Sequence, residues 1–132
     1  AYNKQPIWSD DFKNSLYKTK MALNLSQGNT IKYYSSDRIT QLIGNGILTF
    51  VDIKTKLNKF FTNKEVIFYK SVDDLSRKMN FYAKNHKIRN KIARNGKTKY
   101  HKNFDSKIVA QYMINKTMGY KSKQKFIWDD YI

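Results

Sequence analysis

The sequence contains no cysteine, which excludes a disulfide framework, a thiolate metal site and a cysteine nucleophile. Pro6 is its only proline, so no proline-rich linker divides the chain. No apolar run approaches the roughly 20 residues that a membrane-spanning helix needs, and no signal-peptide pattern is recognisable. These absences favour a cytoplasmic location, and the inner face of the membrane is the alternative.

Acidic residues and arginine are scarce, although the chain is strongly basic. It has 26 lysines and arginines against 10 acidic residues, and its net charge is +16. Such a charge favours nucleic acid, but only four basic residues are arginine, whose fork matches phosphate and guanine. The lysines are scattered, so we interpret them as a solvated surface and expect no specific nucleic acid partner. A non-catalytic basic module that binds nucleic acid or an acidic partner is the alternative.

The most informative segment is residues 35–46, which precedes the apolar run 47–51. It opens with two serines and an aspartate, which are residue types that begin helices. Gly44 and Gly46 end the predicted helix. The apolar residues with helical spacing are Ile39, Leu42 and Ile43. A helix that leads directly into a strand is typical of an α/β fold.

Strands alternate with helices along the first half of the chain. The predicted strands are residues 21–26, 47–52 and 66–69. The predicted helices are residues 9–20, 35–45, 55–61, 71–85, 86–95 and 105–118. This order predicts an α/β fold with a Rossmann-like parallel sheet of three to four strands and helices on both faces. We expect an N-terminal segment and helix (1–20), an α/β domain (21–118) and a C-terminal tail (119–132).

Local signals predict how the helices begin, end and pack. Ser9, Ser71 and Asp105 are the expected N-caps, and the Asn95–Gly96 pair is expected to end the helix over 86–95. In the predicted helix 71–85, the residues expected to face inward are Val72, Leu75, Met79 and Tyr82. In the predicted helix 105–118, they are Ile108, Val109, Tyr112 and Met113.

Polar residues at the end of the first strand suggest an anion site. Asn24, Ser26 and Gly28 lie where open α/β sheets bind ligands. Ser35 and Ser36 open a helix whose first N–H groups and positive dipole end attract anions. An ordinary strand-to-helix loop with simple N-capping is the alternative. The nearby Tyr34 either stacks on a ligand or packs within the fold. Arg38 and Gln41 either contact a ligand or are ordinary solvated residues on the helix surface.

Four motifs follow one another in a characteristic order. The central helix has Arg38, then Gln41 three positions on, then Gly46 before the apolar strand. Residues 68–75 combine an aromatic residue with a helix start, and residues 89–96 read Arg-x-x-Ile-Ala-x-x-Gly. His101 and Phe104 come last. Over residues 20–115 this order resembles the C-terminal, donor-binding domain of GT-B glycosyltransferases, within the family-one-like group that includes the CgeB-type spore-maturation proteins.

The resemblance implies a nucleotide-sugar-binding domain of an enzyme that transfers a sugar from a nucleoside diphosphate sugar to an unknown acceptor. It implies that Arg38 binds phosphate, that Ser35 and Ser36 cradle it, and that Gln41 contacts the ribose where the family commonly has an acid. The nucleotide sugar is then a substrate, and no metal or other cofactor is expected. The catalytic base and acceptor contacts are expected from a missing N-terminal acceptor-binding domain, so the chain alone should turn over little.

A third interpretation concerns the sheet edge rather than a ligand. A truncated parallel sheet leaves an unpaired strand edge, which could support self-association.

Overall fold

Three strands and five α-helices make up the described part of the computed structural model, which comprises residues 7–25, 30–122 and 124–129. The strands are β1 (Met21–Asn24), β2 (Leu48–Asp52) and β3 (Ile67–Tyr69). The helices are α1 (Ser9–Lys18), α2 (Asp37–Gly44), α3 (Val72–Lys84), α4 (His86–Phe104) and α5 (Ser106–Met118). No helix in these ranges has both the length and the apolar character needed to cross a bilayer.

The three strands form one parallel sheet in the order β1-β2-β3. Leu23 pairs with Phe50, and Phe50 pairs with Ile67, so the apolar runs are in register across the sheet. Because alternate residues of a strand point to opposite faces, each strand supplies apolar side chains to both sides. The predicted α/β class, a Rossmann-like parallel sheet flanked by helices, is confirmed.

One face of the sheet is covered by α2 and by the segment between β2 and β3. Val51 and Phe68 from the sheet pack with Ile39 and Ile43 of α2 and with Phe61. All five side chains are buried. Their apolar surface lost to water is what holds the short helix α2 against the strands, because an eight-residue helix is unstable alone.

The opposite face is covered by α3 and the first half of α4. Phe50 and Ile67 pack there with Ile92 and Ala93 of α4, and Leu75 of α3 packs against this cluster. The second half of α4 belongs to the other face, because Tyr100 and Phe104 pack against the cluster under α2. Helix α4 therefore passes around the amino ends of the strands from one face to the other.

The predicted end of a helix at Asn95–Gly96 is wrong, because α4 continues to Phe104. Gly96 is buried in the middle of the helix, and a Cβ atom there would collide with the carbonyl oxygen of Glu65, just before β3. The neighbouring Asn95 donates from Nδ2 to the carbonyl oxygen of Lys64 at 3.1 Å. This glycine lets the helix approach the chain below the sheet; it does not end the helix.

The other expectations about helices were met in part. Ser71 caps α3 by accepting from the Asp74 amide at 3.2 Å, and Asp105 caps α5 by accepting from the Lys107 amide at 3.0 Å, as predicted. Ser9 is not an N-cap, because Trp8 occupies that position and no side chain caps α1.

A short predicted helix and three predicted inward-facing side chains differ from the structure. The predicted helix over 55–61 is two 3-10 turns, Ile53–Thr55 and Leu57–Lys59, separated by Lys56 in a left-handed conformation (φ 59°). Val72, Met79 and Met113 do not face inward, since 78%, 40% and 61% of their surfaces are exposed. Helix α3 turns Leu75 and Tyr82 toward the sheet, whereas α5 turns Tyr112 toward the aromatic rings of Phe126 and Trp128.

An aromatic cluster attaches the tail to the domain. Phe126 and Trp128 are buried and lie 5.5 Å apart between ring centroids. Tyr112 of α5 meets both of their rings edge-on, and Phe104 of α4 lies 5.7 Å from the ring of Trp128. The predicted tail therefore has an anchored apolar segment within its polar sequence.

Candidate functional site

The carboxyl ends of the three parallel strands form one polar edge. Asn24 is the last residue of β1, Asp52 of β2 and Tyr69 of β3. Asp52 and Tyr69 are partners in the strand register, and Asn24 is paired with Val51, the neighbour of Asp52. Open parallel sheets bind ligands at this edge because the loops that follow the strands meet there.

A partly buried hydrogen bond connects β1 to the start of α2. The Asn24 side chain is 4% exposed, and its Oδ1 accepts from the Ser36 hydroxyl at 3.2 Å. Ser36 occupies the N-cap position of α2, yet no side chain caps the helix. The expectation that serine side chains cap this helix is wrong, because the Ser36 hydroxyl bonds Asn24 instead. The Ile39 amide donates to the Ser36 carbonyl oxygen at 3.0 Å. The amides of Asp37 and Arg38 precede it at the start of the helix, where no carbonyl of the helix lies in reach, so these two are available to an anion.

Arg38 lies in the first turn of α2 and reaches back to the same edge. Its Nη1 donates to the carbonyl oxygen of Leu25 at 2.9 Å, directly after β1. A guanidinium has five N–H donors, so this contact fixes its position while leaving other donors for a ligand. Asp37, in the same turn, is exposed and adds a negative charge to the helix start.

The remaining predicted site residues lie at different distances along the chain from this edge, and two of them are outside the described residues. Gln41 is exposed one turn further along α2. Tyr34 is 38% exposed in the turn before the helix. Ser26 and Gly28 lie outside the described residues. The structure thus brings Asn24 and Ser36 into direct contact and Arg38 to the adjoining loop.

Ser35 is exposed and lines an apolar cavity of about 190 Å³ beside α2. The other lining residues are Tyr33, Ile39, Ile43, Leu57, Phe60, Phe61, Tyr100 and Phe104. Most of these also belong to the core on this face or pack against it. The cavity is therefore a gap in the packing next to the site, and Ser35 is its polar member.

Asp52 and Tyr69 are further site candidates, which the sequence motifs do not indicate. Burial raises the pKa of the Tyr69 hydroxyl, and the neighbouring Asp52 carboxylate raises it further. At neutral pH the edge therefore holds a protonated phenol beside a carboxylate, a donor and an acceptor for hydroxyl groups. Their positions as the last residues of predicted strands were the signal in the sequence that could have identified them.

A charged pair stands next to the end of β3. Lys78 of α3 donates from Nζ to the carbonyl oxygen of Phe68 at 2.7 Å and to Asp74 Oδ2 at 2.8 Å. The hydrogen bond from Lys78 is the main reason that the pKa of Asp74 lies below its ordinary value. Lys78 is therefore already paired with Asp74. Arg38 is the better-placed cation for an anion at the end of β1.

A family model matches most of the chain. Residues 1–115 match the model of a family described as glycosyl transferase-like. The match includes the whole sheet and helices α1 to α4. No curated protein and no solved structure is significantly similar to the chain.

Proposed function

The chain belongs to the glycosyl transferase-like family, and from this premise we propose that it is the donor-binding part of a GT-B glycosyltransferase. The enzyme would transfer a sugar from a nucleoside diphosphate sugar to an acceptor. The motif order over residues 20–115 supports a place in the CgeB-type group.

The observation that carries this proposal is the arrangement of Asn24, Ser36 and Arg38 at the carboxyl end of β1. The Asn24–Ser36 bond keeps the serine hydroxyl away from the helix amides, and Arg38 is held beside them. A diphosphate placed there would accept from the first amides of α2, at the positive end of its dipole. The unused donors of Arg38 would add charge-assisted hydrogen bonds.

The same arrangement suggests how the leaving group is stabilised. When the sugar–phosphate bond breaks, negative charge develops on the nucleoside diphosphate, and fixed N–H donors and a cation lower the energy of that charge. Gln41, one turn along α2, would bind a ribose hydroxyl, and Tyr34 would pack against the base or sugar. Asp37 opposes the anion, so its exposed side chain must point away from the phosphates.

We assign no catalytic residue within this chain. The catalytic base and the acceptor contacts would come from an N-terminal acceptor-binding domain, which GT-B enzymes place across the cleft from the donor. The chain alone should therefore bind the donor nucleotide weakly and turn over little.

Chemical-shift mapping of the full chain with UDP, GDP and dTDP tests this function. The expected result is a set of perturbed amides at residues 34–41 and at Asn24, with one nucleotide acting at a lower concentration than the others. The control titration uses a random oligonucleotide of similar charge. Nucleotide-induced shifts that avoid the carboxyl edge of the sheet would contradict the proposal.

A further inference from the structure

A second cavity lies at the opposite, amino-terminal edge of the sheet. Its volume is about 470 Å³. Lys20 directly precedes β1 and Ile47 directly precedes β2, which places the cavity where these strands begin. Its lining residues are Leu16, Tyr17, Thr19, Lys20, Asn45, Gly46, Ile47, Asn90, Ala93, Arg94 and Lys97. It is therefore separated from the candidate donor site by the length of the strands.

The charge of this cavity is of one sign. Lys20, Arg94 and Lys97 line it, and no aspartate or glutamate among the described residues does. Within the described ranges, none of these three side chains forms an ion pair. Other cations of the same part of the chain are neutralised, for example Lys99, which lies 3.5 Å from Glu65.

Capping of α2 does not account for these cations. The end of α2 borders the cavity, and cations commonly satisfy the last carbonyl groups of a helix. Here all four carbonyls already have partners within the fold. The Gln41 carbonyl accepts from Asn45 Nδ2 at 2.7 Å, and the Leu42 carbonyl accepts from the Ile47 amide at 3.0 Å. The Ile43 carbonyl accepts from the Gly46 amide at 2.9 Å, and the Gly44 carbonyl accepts from His101 Nε2 at 3.0 Å.

Rigid elements hold the three cations around the cavity. Arg94 and Lys97 are three residues apart on α4, so they lie on one face of that helix. The stem of Lys97 runs along Gly46, where an added Cβ would meet its Cδ at 3.4 Å. On the other side, the carbonyl oxygen of Lys20 accepts from the Leu48 amide at 3.3 Å, which fixes the backbone of that lysine to the sheet.

The balance of charge favours an anion. Two helix C-termini, those of α1 and α2, border the cavity, and each contributes about half a negative charge. Three full positive charges outweigh them. Asn45 and Asn90 add neutral polar groups, and Leu16 and Tyr17 form an apolar wall.

We propose that this cavity binds the phosphate group of a phosphorylated organic molecule. The Arg94 guanidinium would bind two phosphate oxygens through its fork, and Lys20 and Lys97 would supply further charge. The wall of Leu16 and Tyr17 would pack against the organic part. The phosphate can come from a soluble phosphate ester or from a phospholipid headgroup, which offer the same chemistry. The site is independent of sugar-donor binding at the other edge.

The test is calorimetric titration of the full chain with inorganic pyrophosphate and with glycerol phosphate, near physiological ionic strength. A second arm measures sedimentation with phosphatidylcholine vesicles, with and without phosphatidylglycerol. The variant Lys20→Gln/Arg94→Gln/Lys97→Gln is compared with Lys84→Gln/Lys87→Gln/Lys107→Gln, which removes the same charge from exposed positions elsewhere. Thermal melting checks that both variants fold, and Arg94→Lys keeps the charge while removing the fork.

The expected result is a loss of affinity of about tenfold or more in the cavity variant and less than about twofold in the control. Binding of the soluble probes would identify a phosphate ester, and binding only to vesicles with phosphatidylglycerol would identify a headgroup. Equal losses in the two variants, or no binding in either arm, would overturn the proposal. A random oligonucleotide could also bind more tightly than the phosphate probes and lose the same affinity in both variants. That result would overturn the proposal and would indicate binding by diffuse surface charge.

Discussion

The two edges of the sheet carry polar groups in different ways. At the carboxyl edge, directional bonds between neighbouring elements position the side chains, as between Asn24 and Ser36 and from Arg38 to the Leu25 carbonyl. At the amino edge, the passage of α4 brings Arg94 and Lys97 to the start of the strands, and in the part of the chain that the structure describes no acidic residue lines the cavity beside them. A short motif is sufficient to organise the first edge, whereas the second depends on the packing of a long helix.

The largest effect is expected from breaking the passage of α4 at the amino edge. Gly96→Ala places a Cβ against the carbonyl oxygen of Glu65, which is backbone and cannot rotate away. Overpacking of this kind should cost about 3 kcal/mol of the free energy of unfolding, measured by urea denaturation. Gly44→Ala is the matched control, because a Cβ there would have ordinary contacts with Tyr100 at 3.6 Å. It should be neutral or stabilising by up to about 1 kcal/mol. Equal stability of the two variants would contradict the role given to Gly96.

The next effect concerns the carboxyl edge and leaves the fold intact. Arg38→Ala should weaken nucleoside diphosphate binding by roughly 1.5–3 kcal/mol, because a charge-assisted bond to phosphate is lost. Arg77→Ala removes an arginine that is exposed on α3 and should leave binding unchanged. Calorimetry of both variants, with their melting temperatures, decides the matter. Unchanged affinity in a folded Arg38→Ala protein would remove the phosphate role.

A smaller change is expected one turn further along α2. Gln41→Ala should reduce nucleotide affinity by about 0.5–1.5 kcal/mol, since a neutral hydrogen bond to a ribose hydroxyl gains little over water. Gln41→Glu restores the acid that is common in the resembling family and should keep or improve the affinity. A loss of affinity in Gln41→Glu would mean that this site excludes a second negative charge.

The smallest effect should appear as pH dependence near the amino edge. Burial raises the pKa of Glu65, but the hydrogen bonds from Thr62 and the charge of Lys99 outweigh it, so the pKa lies below the ordinary value of 4.5. The carboxylate therefore stabilises the fold above pH 4.5, and this contribution is lost as the pH falls through the lowered pKa.

Glu65→Gln should accordingly lower the free energy of unfolding at pH 7 by less than about 1 kcal/mol, because the pair with Lys99 is partly solvated. The difference from the unchanged protein should vanish in acid. A difference that is the same at pH 7 and in acid would show that the charge of Glu65 has no part in it.

The fold class could be predicted because its signals are local. Apolar runs mark β1, β2 and β3 to within two residues, and Ser71 and Asp105 mark the starts of α3 and α5. The continuation of α4 could not be predicted, because the meaning of Gly96 depends on the carbonyl of Glu65, which is distant in sequence. A glycine that ends a helix and one that allows close packing look the same in a sequence.

The site was predictable at the level of its segment but not of its bonds. The sequence motifs predict that Asn24, Ser36 and Arg38 lie near one another, but they also predict that the Ser36 hydroxyl caps the helix amides, whereas it bonds Asn24. The roles of Gln41, Tyr34 and Ser35 in binding stay predictions, as do the division into domains and the sheet edge as a surface for self-association. The family match supports glycosyl transfer and gives no support to the nucleic-acid alternative.

The anchored tail has a consequence for spectroscopy. The chain has two tryptophans, Trp8 with 77% of its surface exposed and Trp128 with 8%. Trp8 should emit at long wavelength and be quenched readily by acrylamide, whereas Trp128, against Phe104, should emit at shorter wavelength and resist quenching. The blue component of the emission therefore reports whether the C-terminal segment is seated on α4 and α5, without any label.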